Sequence, residues 1–222
     1  VIRLRIPADA RPTQLAYGDK QTGPIPPNTD LTFEIELLDF RSRAEIEQQQ
    51  AMMQQLLGPE TRMVGDHAIN KPPRHGAPTP WHQDEAYWNP AKEYRSLSIW
   101  VPLQPATKLN GCMYFVPGSH RLDVIPHRPI GDNPTTPGLE VVPGTHDFSG
   151  ALACELPAGG ATFHLERTLH YTPANQSDDF RRAYIAVGEE RATDRAVPRR
   201  FLWQERQAAA RAVKQAADGG AK

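Results

Sequence analysis

From Thr61 to about Gly188, apolar residues come in short runs closed by turn residues: RMVGDHAINK, SLSIWVPL, CMYFVPGS, LACEL, ATFHL and RRAYIAV. Runs of this length and spacing predict the short strands of an all-β sandwich or barrel. Two earlier segments, VIRLRIP and LTFEIELLDF, alternate instead. The second sets Leu31, Phe33, Ile35 and Leu37 against Thr32, Glu34, Glu36 and Leu38, a strand with one wet face. The Pro/Gly-rich loop YGDKQTGPIPPNTD separates them, and two strands alone need a partner to be stable in water. Over 42–58 the period becomes helical. Ser42 and Glu45 form a capping box, Ile46, Met53 and Leu57 share a stripe, and Gly58-Pro59 stops the run. This predicts a helix acting as linker or outer layer, with its glutamine face solvated. The closing FLWQERQAAARAVKQAADGGAK predicts an Ala-rich helix ending in disorder. No internal repeat is visible.

Composition narrows this picture only slightly. The 222 residues suffice for one ordinary domain, alone or with a small appendage. Twenty-two prolines favour turns and hence β-structure. With 25 basic and 26 acidic residues, the net charge of −1 argues for no nucleic-acid or anionic-membrane partner. No apolar run approaches the ~20 residues of a membrane span. The two cysteines, Cys112 and Cys154, make no metal or redox motif and suggest small buried hydrophobes of a reducing compartment. A cytoplasmic protein is the expectation, for a chain that opens on Val1 with no initiator methionine.

The chemistry begins at WHQDEAYW, residues 81–88. On a strand, His82 and Asp84 face one side and Gln83 the other. An imidazole and a carboxylate are two-thirds of the triad that holds non-haem iron, but such a pair also occurs on polar sheet rims. His170 is the best candidate for a third ligand. It ends a short strand whose same face carries Thr172. Eleven residues later Arg181 aligns with Ala183 and Ile185, and an arginine on such a face calls for an anion. His164 could face the same interior, with a core or outer-shell role ahead of ligation. His120 suggests a loop hydrogen bond, and His67, His75, His127 and His146 suggest surface or loop positions. Trp81, Tyr87 and Trp88 suit a substrate wall or simple packing.

Three stretches, LLGPETRMVGDHAINKPPRHGAPTPWHQDEAYW, SIWVPLQPATKLNGCMYFVPGSHR and GGATFHLERTLHYTPANQSDDFRRA, resemble the phytanoyl-CoA dioxygenase family over roughly residues 56–190. The resemblance implies a mainly β chain, a double-stranded β-helix (jelly roll) with flanking helices. It implies an Fe(II)- and 2-oxoglutarate-dependent dioxygenase that uses O2 to hydroxylate a small-molecule or acyl-type substrate, giving succinate and CO2. His82, Asp84 and His170 would be the iron ligands. Arg181, assisted by Thr172, would hold the distal carboxylate of 2-oxoglutarate. Lys71 and Trp100 would line the co-substrate pocket, and Gln83 would sit near the substrate. Halogenating relatives carry a small residue in place of Asp84, so the carboxylate implies hydroxylation.

LAYGDKQTGPIPPNTDLTFEIELLDF is similar to the C-terminal part of an FKBP-type peptidyl-prolyl isomerase, with Tyr17 and Phe33 at proline-pocket positions. This implies a partial isomerase-like segment over 1–40, inactive alone. The alternative function is an isomerase whose other half lies upstream, or a bifunctional fusion. The expected organisation continues with a helix or linker over 41–58, the jelly roll over 59–206 and a tail over 207–222.

Overall fold

The computed structural model describes residues 2–6, 31–35 and 43–219, in two compact units, 1–43 and 44–222. In the first, strands β1 (Ile2–Ile6) and β2 (Leu31–Ile35) pair antiparallel, with Leu4 opposite Phe33. The alternating pattern of both segments therefore forms strands. Tyr17 and most of the isomerase-like segment lie outside the described residues.

Helix α1 (Arg43–Leu57), which belongs to the second unit from Ala44 on, is followed by β3 (Arg62–Lys71), β4 (Thr79–His82), β5 (Lys92–Glu93), β6 (Ser96–Pro102) and β7 (Met113–Phe115). There follow β8 (His127–Pro129), β9 (Leu139–Val141), β10 (Leu152–Cys154), β11 (Thr162–Leu165), β12 (His170–Thr172), β13 (Arg181–Glu189), β14 (Thr193–Asp194) and α2 (Leu202–Gly219). Two four-stranded antiparallel sheets, ordered β11-β6-β13-β3 and β10-β7-β12-β4, form a double-stranded β-helix. The small pairs β14-β5 and β8-β9 flank them.

Strand β6 shows how the layers arise. Every one of its residues is buried, because both faces are covered. Leu97, Ile99 and Val101 pack outward against Met53 and Leu57 of α1, while Trp100 points inward among Ala183, Cys112 and Met113. Helix α1 is thus an outer layer on the first sheet. Met53 is completely enclosed, a burial contributing about 1.5–3 kcal/mol. Gly188 permits this close approach, since a Cβ there would stand 2.5 Å from the Met53 sulfur. The helical stripe differs from expectation. Gln49, Met53 and Leu57 are buried, while Ile46 is exposed. The glutamine face is also not simply solvated. Gln50 binds the Thr61 carbonyl and receives the Met63 N–H at 2.8 Å, and Gln54 donates to the Pro59 and Thr61 carbonyls. Amides that satisfy the backbone between α1 and β3 fix where β3 begins.

At the other end, Phe201 and Trp203 are buried with Ala86 and Leu139. The Trp203 indole donates to the Ala86 carbonyl at 2.8 Å, and Gln204 donates to the Ala86 and Trp88 carbonyls. Helix α2 runs unbroken across the expected boundary at 206/207, so its first turn belongs to the packed unit. Cys112 is buried and Cys154 half-buried, and neither forms a disulfide. Among the described residues, no helix is long and apolar enough to cross a membrane.

Candidate active site

The second sheet sets up the site. His82 ends β4 and lies directly opposite His170 at the start of β12, so both imidazoles leave the same face of neighbouring strands, with ring centroids 4.1 Å apart. Asp84 lies beyond the strand, contrary to the reading of one strand through residue 84. It opens a short 3-10 turn, Asp84–Tyr87. Gln83 keeps an extended backbone (φ −117°, ψ 134°), so the alternation persists and Asp84 still returns to the side of His82.

The ligand atoms converge. Nδ1 of His82 meets the Pro80 carbonyl at 2.8 Å and Nδ1 of His170 meets the Thr168 carbonyl at 2.9 Å. A carbonyl only accepts, so each Nδ1 carries the proton and each Nε2 presents a lone pair. Both Nε2 atoms stand 3.6 Å from Asp84 Oδ1. Among the described residues, His82, Asp84 and His170 form the group whose donor atoms lie within 4.8 Å of one another. Burial alone would raise the Asp84 carboxyl, but His170, His164 and His82 outweigh it and hold the group well below the usual range. Burial, then His82, holds the His170 imidazole well below its usual value. The site therefore brings two imidazoles and one carboxylate together, the donor set of a non-haem Fe(II) triad.

The same cavity, of about 230 Å³, is also lined by Trp100, Thr172 and Arg181. Arg181 is 1% exposed, and its guanidinium lies 5.3 Å from the Trp100 ring centroid. Its Nε and Nη1, and the Thr172 hydroxyl, are buried without hydrogen-bond partners. A desolvated guanidinium with open donors fits a carboxylate. Burial lowers its pKa to about 10, which still leaves it charged at neutral pH.

Two expected residues are not brought to the cavity. Gln83 is fully buried, but its amide donates to the Asp123 and Arg167 carbonyls and accepts the Ile125 N–H. It knits loops together, with both amide N–H groups engaged by those carbonyls. Lys71 is 4% exposed, and its ammonium is occupied by the Thr172 and Pro173 carbonyls, at 3.3 and 2.8 Å. It braces β3 against β12. Burial, with Arg181 beside it, pushes Lys71 down to about 7, against an ordinary value of 10.5. In that interval the unfolded chain binds the extra proton and the folded chain does not, so stability rises with pH across the window. Lys71→Met is expected to flatten that rise. Unfolding midpoints in urea at pH 7 and pH 9 check this, and parallel slopes for variant and wild type would remove Lys71 as the cause.

The other histidines and aromatics divide. His164 reaches the site, with Nε2 3.6 Å from Asp84 Oδ2, and the exposed His67 lies at the cavity edge. His127 is buried, contrary to a surface reading; its Nε2 accepts the Gln83 N–H at 3.2 Å, and desolvation lowers it to about 4. His120 lies in the turn Ser119–Arg121, off the cavity. Trp88 lines the cavity, whereas Trp81 stacks on Phe148 and Tyr171, and Tyr87 accepts the Leu139 N–H. Ser98 was not singled out in the sequence, yet it donates to Asp84 at 3.1 Å. The available signal was a serine two residues before Trp100, on the same face of a buried strand. Next to Asp84, Glu85 is 1% exposed and pairs with Arg199 and Arg167, tying the turn to the segment before α2.

A family model described as phytanoyl-CoA dioxygenase (PhyH) matches residues 30–183, which include every residue expected at the iron and co-substrate site. The chain belongs to the phytanoyl-CoA dioxygenase family. The match begins at residue 30 and so takes in β2, part of the isomerase-like wording. Among solved family-like structures, EvdO2 from Micromonospora carbonacea var. aurantiaca, crystallised with 2-oxoglutarate, is 41% identical. That match covers 71% of this chain and 64% of the other, with a TM-score of 0.66. The epimerase SnoN, in complex with Fe3+, alpha ketoglutarate and nogalamycin RO, is 26% identical over 68% of this chain and 64% of its own, with a TM-score of 0.53. Phytanoyl-CoA dioxygenase domain-containing protein 1 of Mus musculus is 28% identical over 147 residues, 65% of this chain and 50% of its length. The chain spans about half the length of the curated relatives it matches.

Proposed function

We propose that this chain carries the centre of an Fe(II)- and 2-oxoglutarate-dependent dioxygenase that hydroxylates a small-molecule or acyl-type substrate. His82, Asp84 and His170 would hold the metal, and Arg181 with Thr172 would hold the distal carboxylate of 2-oxoglutarate beside Trp100. The observation that carries the reading is the pairing, in one cavity, of a converging His/Asp/His set with a buried guanidinium whose donors are open. Either feature alone has a simpler explanation. Together they match a co-substrate that chelates a metal at one end and ends in a carboxylate at the other. Relatives whose structures hold 2-oxoglutarate, or iron with it, support the same assignment.

When bound, Fe(II) and 2-oxoglutarate supply the oxidation: O2 gives one oxygen atom to the succinate formed with CO2 and the other to a substrate C–H bond. The chain's own work is positional. The Pro80 and Thr168 carbonyls fix the tautomers of His82 and His170 so that both Nε2 atoms are free. Arg181 sets the direction of the co-substrate, and Trp100 keeps water from the guanidinium. Ile185, Val187 and Trp88 leave an apolar wall for the substrate, consistent with hydroxylation of an unactivated carbon.

Anaerobic loading of the full chain with Fe(II), followed by 2-oxoglutarate, should produce the visible charge-transfer absorbance of the chelate. Admitting O2 should then release succinate, fastest with a true substrate from a panel of small molecules and acyl thioesters. Bound iron that develops no absorbance with 2-oxoglutarate would reject the assignment.

A further inference from the structure

The two oxygens of Asp84 have different partners. Oδ1 faces the Nε2 atoms of His82 and His170. Oδ2 accepts the Ser98 hydroxyl at 3.1 Å and stands 3.6 Å from His164 Nε2. Ser98 and His164 come from neighbouring strands, β6 and β11, and lie directly opposite one another in the register. They belong to the first sheet, whereas Asp84 sits in the turn after β4 of the second.

We propose that Ser98 and His164 are positioning residues, a cross-strand clip that holds Oδ2 of Asp84 away from the metal so that the carboxylate binds through Oδ1 alone. The proposal rests on the metal assignment above and adds how the open coordination positions are preserved. An octahedral ion held by three protein atoms keeps three positions, two for the chelating co-substrate and one for O2. A carboxylate free to rotate could bind through both oxygens and take one of them. A 3-10 turn outside the sheets has no ladder to prevent that rotation, and the clip supplies the restraint.

Two further features favour this over a packing role. Every residue of β6 is buried, and Ser98 carries a hydroxyl on the inner face where an apolar side chain would fill the space without needing a partner. His164 is 6% exposed, and its Nδ1 is buried without a hydrogen-bond partner. A histidine kept only for packing would have that nitrogen satisfied. Leaving it orphaned costs free energy, and the ring is oriented so that the opposite nitrogen faces Asp84. Its wedge is firm, with Phe115 and His170 at ring distances of 5.3 and 4.5 Å. Ligation by His164 itself is a poor fit, because its donor atom faces Oδ2 and it falls outside the converging group.

The test uses the full chain with Co(II), whose ligand-field absorption reports coordination number, and calorimetry for metal and 2-oxoglutarate affinity. Ser98→Ala and His164→Phe are each expected to weaken Co(II) binding by about tenfold to a hundredfold, the usual loss for an outer-shell partner. Each should also alter the Co(II) spectrum before 2-oxoglutarate is added and weaken 2-oxoglutarate binding at saturating metal. Ser98→Thr, which keeps a hydroxyl, and His164→Gln, which keeps an N–H donor, should restore the wild-type spectrum. Circular dichroism checks folding, and if His164→Phe is unfolded the two serine variants decide the matter. Wild-type affinity and spectrum in folded Ser98→Ala would overturn the clip, as would complete loss of metal in folded His164→Phe with Ser98→Ala unchanged, which makes His164 a ligand. Failure of the wild-type chain to take up Co(II) at all would sink the metal assignment, and the clip with it.

Discussion

His170→Ala is expected to leave a folded chain that retains neither Fe(II) nor the visible absorbance of the 2-oxoglutarate chelate. The loss should exceed the roughly hundredfold typical of an outer-shell change, because a direct donor disappears and two ligands cannot define a facial site. His170 is suited to this test because β12 pairs with β4 and with β7, so backbone hydrogen bonds on both sides hold the strand after truncation. His120→Ala is the matching control, since that residue lies off the cavity. Metal content after anaerobic loading and desalting, with the absorbance titration, decides the point. Stoichiometric iron in His170→Ala would remove it from the ligand set.

Arg181→Leu should separate co-substrate binding from metal binding. Removing one partner of a buried, hydrogen-bonded charge pair costs about 2–5 kcal/mol, a loss of roughly thirtyfold to several-thousandfold in 2-oxoglutarate affinity. Iron affinity should change little, because a guanidinium has no lone pair to offer a metal. The wild-type chain should also melt at rising temperature as 2-oxoglutarate is added, since a ligand of the native state stabilises it by mass action. That increment should vanish in the variant. The unliganded variant should not be greatly destabilised, since the substitution removes a buried cation whose Nε and Nη1 have no partner. Equal loss of iron and 2-oxoglutarate binding would show that Arg181 supports the fold of the site rather than the anion.

Residues close together in the chain were the most legible part of the site. His82 and Asp84 are two apart, and an extended Gln83 between them was enough to put both on one side even though the strand had ended. Arg181, Ala183 and Ile185 share a face for the same reason. For Lys71 and Gln83, polar type and position do not reveal the partners the structure gives them. The carbonyls of Thr172 and Pro173 take up the first, and loops around Asp123 and Arg167 take up the second. His127 looked like a loop residue, yet it is buried against the backbone of Gln83.

By itself the sequence determined the mainly β character of the jelly roll and offered the candidate donors, because side-chain alternation and backbone period are set by near neighbours. Only the tertiary structure decided that Ser98 and His164, opposite each other on one sheet, meet a carboxylate carried by the other. Strand order and the spacing between sheets come from packing over the whole unit, with Met53 under β6 and Trp203 against the turn of Asp84, and no local pattern encodes them.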